Sequence, residues 1–290
     1  MALPESREWG QEVSEEANID AYFERIGFAG SIAPTVQTLE MLHMLHPAAI
    51  PFENLDPLLG IPVRLELSDL QQKLLFERRG GYCVEQNLLF KAVLETLGFS
   101  VRGLGARVLW GQPEATDGPL THMVLAVDIG GATYIADVGF GGQTLTAPLR
   151  LRRDVEQQTP HEMFRLLEGE TDWRLEARIG IEPDAAWRVL YAFDLTEMSL
   201  DDYKAMNEVT SSSPRFRDNL IAARSEKGRR FALSNTVLHT HVTGAESDRR
   251  VLGSVTEIRD VLAGIFGITL PQGERLDPAL ERIVAQGVAA

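Results

Sequence analysis

A thiol, an imidazole and a carboxylate stand in chain order at Cys83, His122 and Asp137. Held together, these three groups carry nucleophilic acyl transfer: the imidazole takes the thiol proton, the carboxylate fixes the ring's tautomer, and the thiolate attacks an activated acyl carbon. Cys83 is the sole cysteine, and it follows Arg79-Gly80-Gly81-Tyr82 at the start of an amphipathic run. That places it on the first turn of a helix, where backbone N–H groups favour the thiolate, while the glycines allow a substrate to come close. A cysteine taken alone is more often a small buried hydrophobe. The second segment is what gives it a partner.

Residues 121–129 and 132–139 are alternating runs rich in β-formers, joined by Gly130-Gly131. They read as a hairpin whose turn needs positive φ at its centre. With the two glycines in the loop, Val124 faces Asp137 and Met123 faces Val138. His122 is then diagonal to Asp137 on the same face, roughly 7–8 Å away at Cα and within reach of a hydrogen bond. Asp128, on the same strand as His122, lies about 20 Å from it at 3.3 Å per residue, too far to serve.

The elements needed to hold these groups are legible in outline. Helices are expected over 21–26, closed by Gly27, and over 35–46, with Leu39, Leu42 and Leu45 on one stripe and Pro47 as the stop. Ser68 with Gln71 predicts a capping box for a third helix, and 84–97 forms a fourth that ends at Gly98. The period then changes to two at Leu104, Ala106, Val108 and Trp110, with further strands at 164–167 and 173–179. Helical and strand signals mix after Met198, with 231–241 strand-like and 256–266 helical.

The motifs around the three groups resemble those of the arylamine N-acetyltransferase family. Arg79-Gly80-Gly81-Tyr82-Cys83 is similar to its R-G-G-x-C nucleophile motif, Pro51-Phe52-Glu53-Asn54-Leu55 to its P-F-E-N-L segment, and Asp137-Val138-Gly139-Phe140-Gly141-Gly142 to its D-V-G-F-G-G segment. Val84 departs from it, since an aromatic residue often follows the nucleophile in relatives. The match is clear over 22–149 and thins afterwards to echoes at 191–195 and 212–216. The resemblance implies an α+β enzyme of three parts: a helical domain with the cysteine (1–99), an antiparallel β-barrel-like domain with His and Asp (100–198), and a C-terminal α/β lid (199–290). It implies a ping-pong reaction in which acetyl-CoA acetylates Cys83 and an arylamine or arylhydrazine nitrogen takes the acetyl group, with His122 as base and Asp137 as its orienter. Two related chemistries use the same triad: a polyketide-pathway amide synthase fed by a carrier protein, and a thiol hydrolase. A binding protein with a decayed site is a third alternative, and the complete set of triad residues argues against it.

Coenzyme A is polyanionic, and the chain carries a formal charge of −14. A neutral answer lies in Gly139-Phe140-Gly141-Gly142-Gln143, where successive N–H groups could form an anion-binding nest without a lysine. By itself this is more simply a tight turn after a strand, without the Lys-Ser/Thr ending of a P-loop. Trp110 and Thr121 join these five residues as cofactor-binding candidates through the resemblance.

The same negative charge excludes a nucleic-acid partner, which needs a basic face. At 290 residues and 44% hydrophobic, the chain can build a substantial core. No apolar run spans a bilayer, the acidic stretch up to Asn18 lacks the pattern of a signal peptide, and a lone reactive thiol suits a reducing compartment. A cytoplasmic monomer or homodimer is expected, without metal. His43 and His46 are spaced awkwardly for two ligands and have no acidic or thiol neighbour, while His239 and His241 fit a strand surface. Glu53 and Glu85 read as anchors for Arg78, Arg79 or Arg64, with Arg79 holding the glycine turn.

Overall fold

The computed structural model describes residues 16–112, 118–181 and 183–288. The acidic N-terminal stretch therefore lies largely outside the described residues.

The chain opens with helices α1 (Ile19–Ile26) and α2 (Val36–Ala49). Asn18 Oδ1 accepts the Ala21 N–H at the start of α1, and Gly27 ends it at φ 69°. Thr35 caps α2 through the Thr38 N–H. Pro47 does not stop this helix; it sits in the last turn, and Ile50 N–H still closes on the His46 carbonyl. Strand β1 (Phe52–Glu53), a one-turn helix α3 (Leu55–Leu58) and α4 (Leu67–Gln71) follow. The expected Ser68 capping box is absent: α4 begins on Glu66 without a side-chain cap, and Gln71 Oε1 accepts the Asn18 N–H instead. A π-helical turn, Gln72–Phe76, continues α4 and leads to helix α5 (Cys83–Thr96).

Strands β2 (Ser100–Val108), β3 (His122–Ile129), β4 (Ala132–Ala136), β5 (Leu149–Arg150), β6 (Gln157–Gln158), β7 (Met163–Glu168), β8 (Trp173–Ile179) and β9 (Ala186–Glu197) form one antiparallel sheet in the order β5-β4-β3-β2-β9-β8-β7-β6. The sheet curls into a nearly closed barrel. Its seam is bridged by the Gln157 side chain, which accepts the Arg150 N–H and donates to the Arg150 carbonyl. Val124, Ala126, Ile135, Phe164, Leu175, Tyr191 and Phe193 fill the interior. The other face of β3, through Met123, Leu125 and Val127, joins the core of α1, α2 and α5. With both faces covered, β3 reads as the continuous apolar run Met123–Val127 rather than a strict alternation.

After α6 (Leu200–Ser212) and α7 (Pro214–Arg217) come β10 (Ile221–Glu226), β11 (Arg229–Ser234), β12 (Val237–Val242), β13 (Asp248–Val251), α8 (Val255–Gly264) and α9 (Leu276–Val288). The expected single strand over 231–241 is two, because Asn235 turns the chain at φ 52° and accepts the Leu220 N–H. A second antiparallel sheet runs β1-β10-β11-β12-β13, so the short strand β1 from the first part of the chain pairs with the C-terminal strands. Leu55 and Leu58 share a core there with Leu233, Leu238, Ile258, Leu262, Leu280 and Ile283. Among the described residues no helix is long and apolar enough to cross a membrane.

Candidate active site

Cys83 is the first residue of α5, seated by an extended Tyr82 whose N–H donates to Glu85 Oε2 at 3.0 Å. The first three N–H groups of a helix have no intrahelical acceptor, so they point their partial positive charge at whatever sits there. Two further constraints fix the loop. Gly81 N–H and the Glu53 N–H hydrogen-bond the carbonyls of Pro51 and Gly81 respectively, stitching β1 to the segment before Cys83. Below it lies a buried ionic cluster: Arg79 reaches Glu53 at 2.7 Å and Asp56 at 2.9 Å, while Lys73 reaches Asp56 at 2.5 Å and Glu85 at 2.6 Å. Arg79 holds the turn as the sequence suggested, but the partner of Glu85 is Lys73, delivered by the π turn, rather than an arginine.

The hairpin has the expected register. Leu125 opposes Ala136 and Ile129 opposes Ala132, with Gly130 and Gly131 at φ 57° and 76° in a two-residue turn. His122 and Asp137 therefore share a face, and His122 Nε2 lies 2.8 Å from Asp137 Oδ2. Both are buried, at 2% and 0% exposure. Cys83 is near enough to the same ring to favour its charged form, and with Nε2 on Asp137 the ring has only Nδ1 left to offer. The Cys83 sulfur also lies 3.5 Å from the Thr121 carbonyl. Burial opposes charge on His122, but the Asp137 carboxylate outweighs it and pushes the imidazole up to about 10. At neutral pH the ring is an imidazolium, a charge that stabilises a thiolate beside it.

Asp137 is held from every side. Its Oδ1 accepts from Asn87 Nδ2 and from the Gly139 N–H, both at 2.9 Å. Although desolvation alone would raise this carboxyl, His122 and these donors hold it below the usual carboxylate range. Asn87, one turn after Cys83 on α5, also donates to the Met123 carbonyl and accepts the Val138 N–H, replacing the ladder bond where β3 and β4 part. Phe140 meets the His122 ring edge-on at 5.0 Å and Tyr191 packs on it at 4.9 Å, so the imidazole is walled by aromatic rings.

The glycine segment divides into separate roles. A Cβ on Gly139 would lie 2.8 Å from Cys83 Cα and 2.9 Å from Asn87 Nδ2, so this glycine lets the hairpin touch the nucleophile's helix. Its N–H is spent on Asp137 and that of Phe140 on Thr144 Oγ1, leaving the 3₁₀ turn Gly141–Gln143 for any anion. Only Gly141 has positive φ, at 80°; Gly142 has ordinary backbone. Gln143 opens onto a cleft of about 370 Å³ between the barrel and the second sheet, lined also by His161, Glu162, Arg178, Arg230 and His241. Trp110 is half-exposed on the turn after β2, and its N–H donates to the Leu190 carbonyl. Asn87 and His43, whose Nε2 accepts the Asp137 N–H at 3.0 Å, are the contributors missed in the sequence. For Asn87 the signal was present, since it follows Cys83 by one helical turn on the same face. Among the described residues no cluster of histidine, cysteine and carboxylates is arranged to hold a metal.

Comparison with known proteins gives a consistent picture. A family described as N-acetyltransferase matches residues 35–275. The arylamine N-acetyltransferase of Escherichia coli is 40% identical over 253 residues, covering 86% of this chain and 88% of that protein. The Salmonella typhimurium arylamine N-acetyltransferase / N-hydroxyarylamine O-acetyltransferase is 39% identical over the same shares of the two chains. A solved structure of Mycobacterium marinum arylamine N-acetyltransferase in complex with CoA superposes with a TM-score of 0.86 at 37% identity, covering 92% of this chain and 99% of that one.

Proposed function

Because this chain belongs to the arylamine N-acetyltransferase family, we propose that it transfers an acetyl group from acetyl-CoA to the nitrogen of an arylamine or arylhydrazine, with Cys83, His122 and Asp137 as its catalytic residues. The observation that carries this is that His122 Nε2 pairs with Asp137 at 2.8 Å while the Cys83 sulfur stands 3.5 Å from the carbonyl of Thr121, the residue before His122.

In the first half-reaction the Cys83 thiolate attacks the thioester carbonyl of acetyl-CoA. The oxyanion that forms meets N–H groups of the first turn of α5, aimed before the reaction begins. Collapse breaks the bond from carbon to the CoA sulfur, and the departing thiolate takes the proton of the His122 imidazolium. In the second, the unprotonated aromatic amine attacks the Cys83 thioester, neutral His122 takes the proton from nitrogen, and the Cys83 thiolate leaves. The ion pair is restored and atoms balance. An arylamine suits the step because it is weakly basic and remains a free nucleophile at neutral pH.

For CoA, the Gly141–Gln143 turn and the cleft beyond Gln143 are the proposed seat, supported by the turn's place a few residues after Asp137 and by the volume of the cleft beside it. Phe140 would stand between this seat and the imidazole, and Gly139 would act through packing alone. Trp110 and Thr121 remain proposed contacts, Thr121 beside the nucleophile, where its carbonyl faces the Cys83 sulfur. A reducing, cytoplasmic setting fits the lone thiol.

Intact mass tests the reading. With acetyl-CoA alone the protein gains one acetyl group, mapped to Cys83, and loses it when an arylamine or arylhydrazine is added; Cys83→Ala folds and gains none. Absence of the adduct refutes acetyl-CoA as donor and favours a carrier-protein donor. Steady release of acetate without amine assigns the site to hydrolysis.

A further inference from the structure

His43 is fully buried on α2, in the sequence far from the hairpin, yet its Nε2 accepts the backbone N–H of Asp137 at 3.0 Å. In this register Asp137 stands opposite Val124 at a non-hydrogen-bonded position, so its N–H points away from β3, toward the side where β5 pairs only with Tyr134 and Ile135 and gives it no acceptor. Asn87 takes the next N–H, that of Val138, which points back toward β3, so a helix on each side holds the segment where the carboxylate must be presented. To accept at Nε2, a neutral His43 must carry its proton on Nδ1, and Nδ1 is buried without a hydrogen-bond partner. The His43 ring packs edge-on with Phe90, 5.8 Å between centroids. A buried unpaired donor is costly. A residue chosen only to fill the space would be apolar; this one sacrifices a donor at Nδ1 so that an acceptor stands at Nε2. Neighbouring His46, by contrast, satisfies both nitrogens, with Tyr22 Oη at 2.9 Å and Gln86 Oε1 at 2.6 Å.

We propose that His43 is a positioning residue for the catalytic carboxylate: it fixes the Asp137 backbone N–H and thereby the direction from which Oδ2 meets His122. The inference rests on the reading of Asp137 as the partner of His122. Charged and titratable groups around the pair are few. Asp137 and His46 face His43, and Asp137, Cys83 and Tyr191 face His122. Burial holds His43 down to about 4, against the pull of Asp137, so it stays neutral and keeps its acceptor throughout the working range.

The test compares His43→Gln, which retains an acceptor near Nε2, with His43→Leu, which removes it, and His43→Asn, whose amide is one methylene too short. The readouts are the rate of Cys83 acetylation by acetyl-CoA and the titration midpoint of His122, followed by NMR with ring-labelled histidine. Leu and Asn should slow acetylation about tenfold or more and lower the His122 midpoint toward that of an ordinary imidazole, while Gln restores both. If the Leu variant fails to fold, the contrast of Gln with Asn reads the same quantity. Asp137→Asn is run alongside. A lowered His122 midpoint in Asp137→Asn with wild-type rate and midpoint in the variants lacking the acceptor overturns the inference alone. An unchanged midpoint in Asp137→Asn overturns the triad reading, and the inference with it.

Discussion

Replacing Asp137 with Asn does more than delete a charge. Oδ1 of Asp137 accepts from both Asn87 Nδ2 and the Gly139 N–H, so an asparagine must keep its carbonyl oxygen there and turn its NH₂ toward His122. His122 Nε2 then becomes an acceptor and the ring's proton is forced onto Nδ1, the nitrogen facing Cys83. The base is left in the wrong tautomer, and the imidazolium loses its counter-charge. The raised His122 value, about 10 against 6.5, is the net of desolvation, which opposes it, and of Asp137 first and Cys83 second, which raise it: at 1.36 kcal/mol per pH unit it is on the order of 5 kcal/mol, or roughly 10³–10⁴ in rate if fully lost from the reacting pair. Acetyl transfer from acetyl-CoA to an arylamine, and formation of the Cys83 adduct by mass, should both fall by about that factor in Asp137→Asn with its fold intact by circular dichroism. Asp128→Asn is the control. Asp128 is exposed at the end of β3 and bonds Thr133 Oγ1 at 2.5 Å, so its loss should leave activity within about twofold. Activity within tenfold of wild type in Asp137→Asn, or an equal loss in Asp128→Asn, refutes the reasoning.

Other outcomes follow from the same geometry. Gly139→Ala sets a Cβ against Cys83 backbone at 2.8 Å and should cost about 1–3 kcal/mol of stability, read as a lower Tm, and cut acetyl transfer, whereas Gly142→Ala, with only Ala232 Cβ at 3.6 Å, should leave Tm unchanged. Asn87→Ala strips the hydrogen bonds to Met123, Asp137 and Val138 and should cost about 2–4 kcal/mol in urea unfolding, together with most of the activity. His122 has a folded value raised above the unfolded one, so its stabilisation is complete below pH 6.5 and disappears as pH rises through about 10; the Tm gap between wild type and Asp137→Asn should shrink across that interval. His46 is depressed to about 3, chiefly by desolvation, so unfolding takes up a proton below pH 6.5; His46→Gln should flatten the loss of Tm between pH 6.5 and 3.

The catalytic hairpin was legible because its register is a local property. Two consecutive glycines admit a two-residue turn, and counting outward from it puts His122 and Asp137 on one face. Cys83 at the start of α5 was likewise written in a short stretch, Gly80-Gly81-Tyr82-Cys83. The contacts that discipline these groups were not local. Asn87 reaches Asp137 across a sequence separation of 50 and His43 across 94, and nothing in the periodicity of α2 distinguishes a histidine that accepts a backbone N–H from one that fills space. The Ser68 cap failed because Gln71 found a better use in holding Asn18, and Pro47 failed as a stop because the last turn of a helix tolerates a missing N–H when the next one, at Ile50, still closes. Pairing of β1 with β10 was equally invisible, since a two-residue strand carries no period.

That pairing has a consequence for the order in which the enzyme is made. Phe52 and Glu53 are paired on one side with Ala223 and Ala222, and on the other Phe52 bridges Gly81, two residues ahead of the nucleophile. The loop that seats Cys83 is therefore flanked by a strand whose outer edge is completed only by residues from the last third of the chain. During synthesis the thiol leaves the ribosome early, before either His122 or the strand that braces its seat. On the proposed roles, a growing chain thus carries Cys83 without its partners, and reactivity arrives late, as a property of the finished sheet rather than of the segment that bears the sulfur.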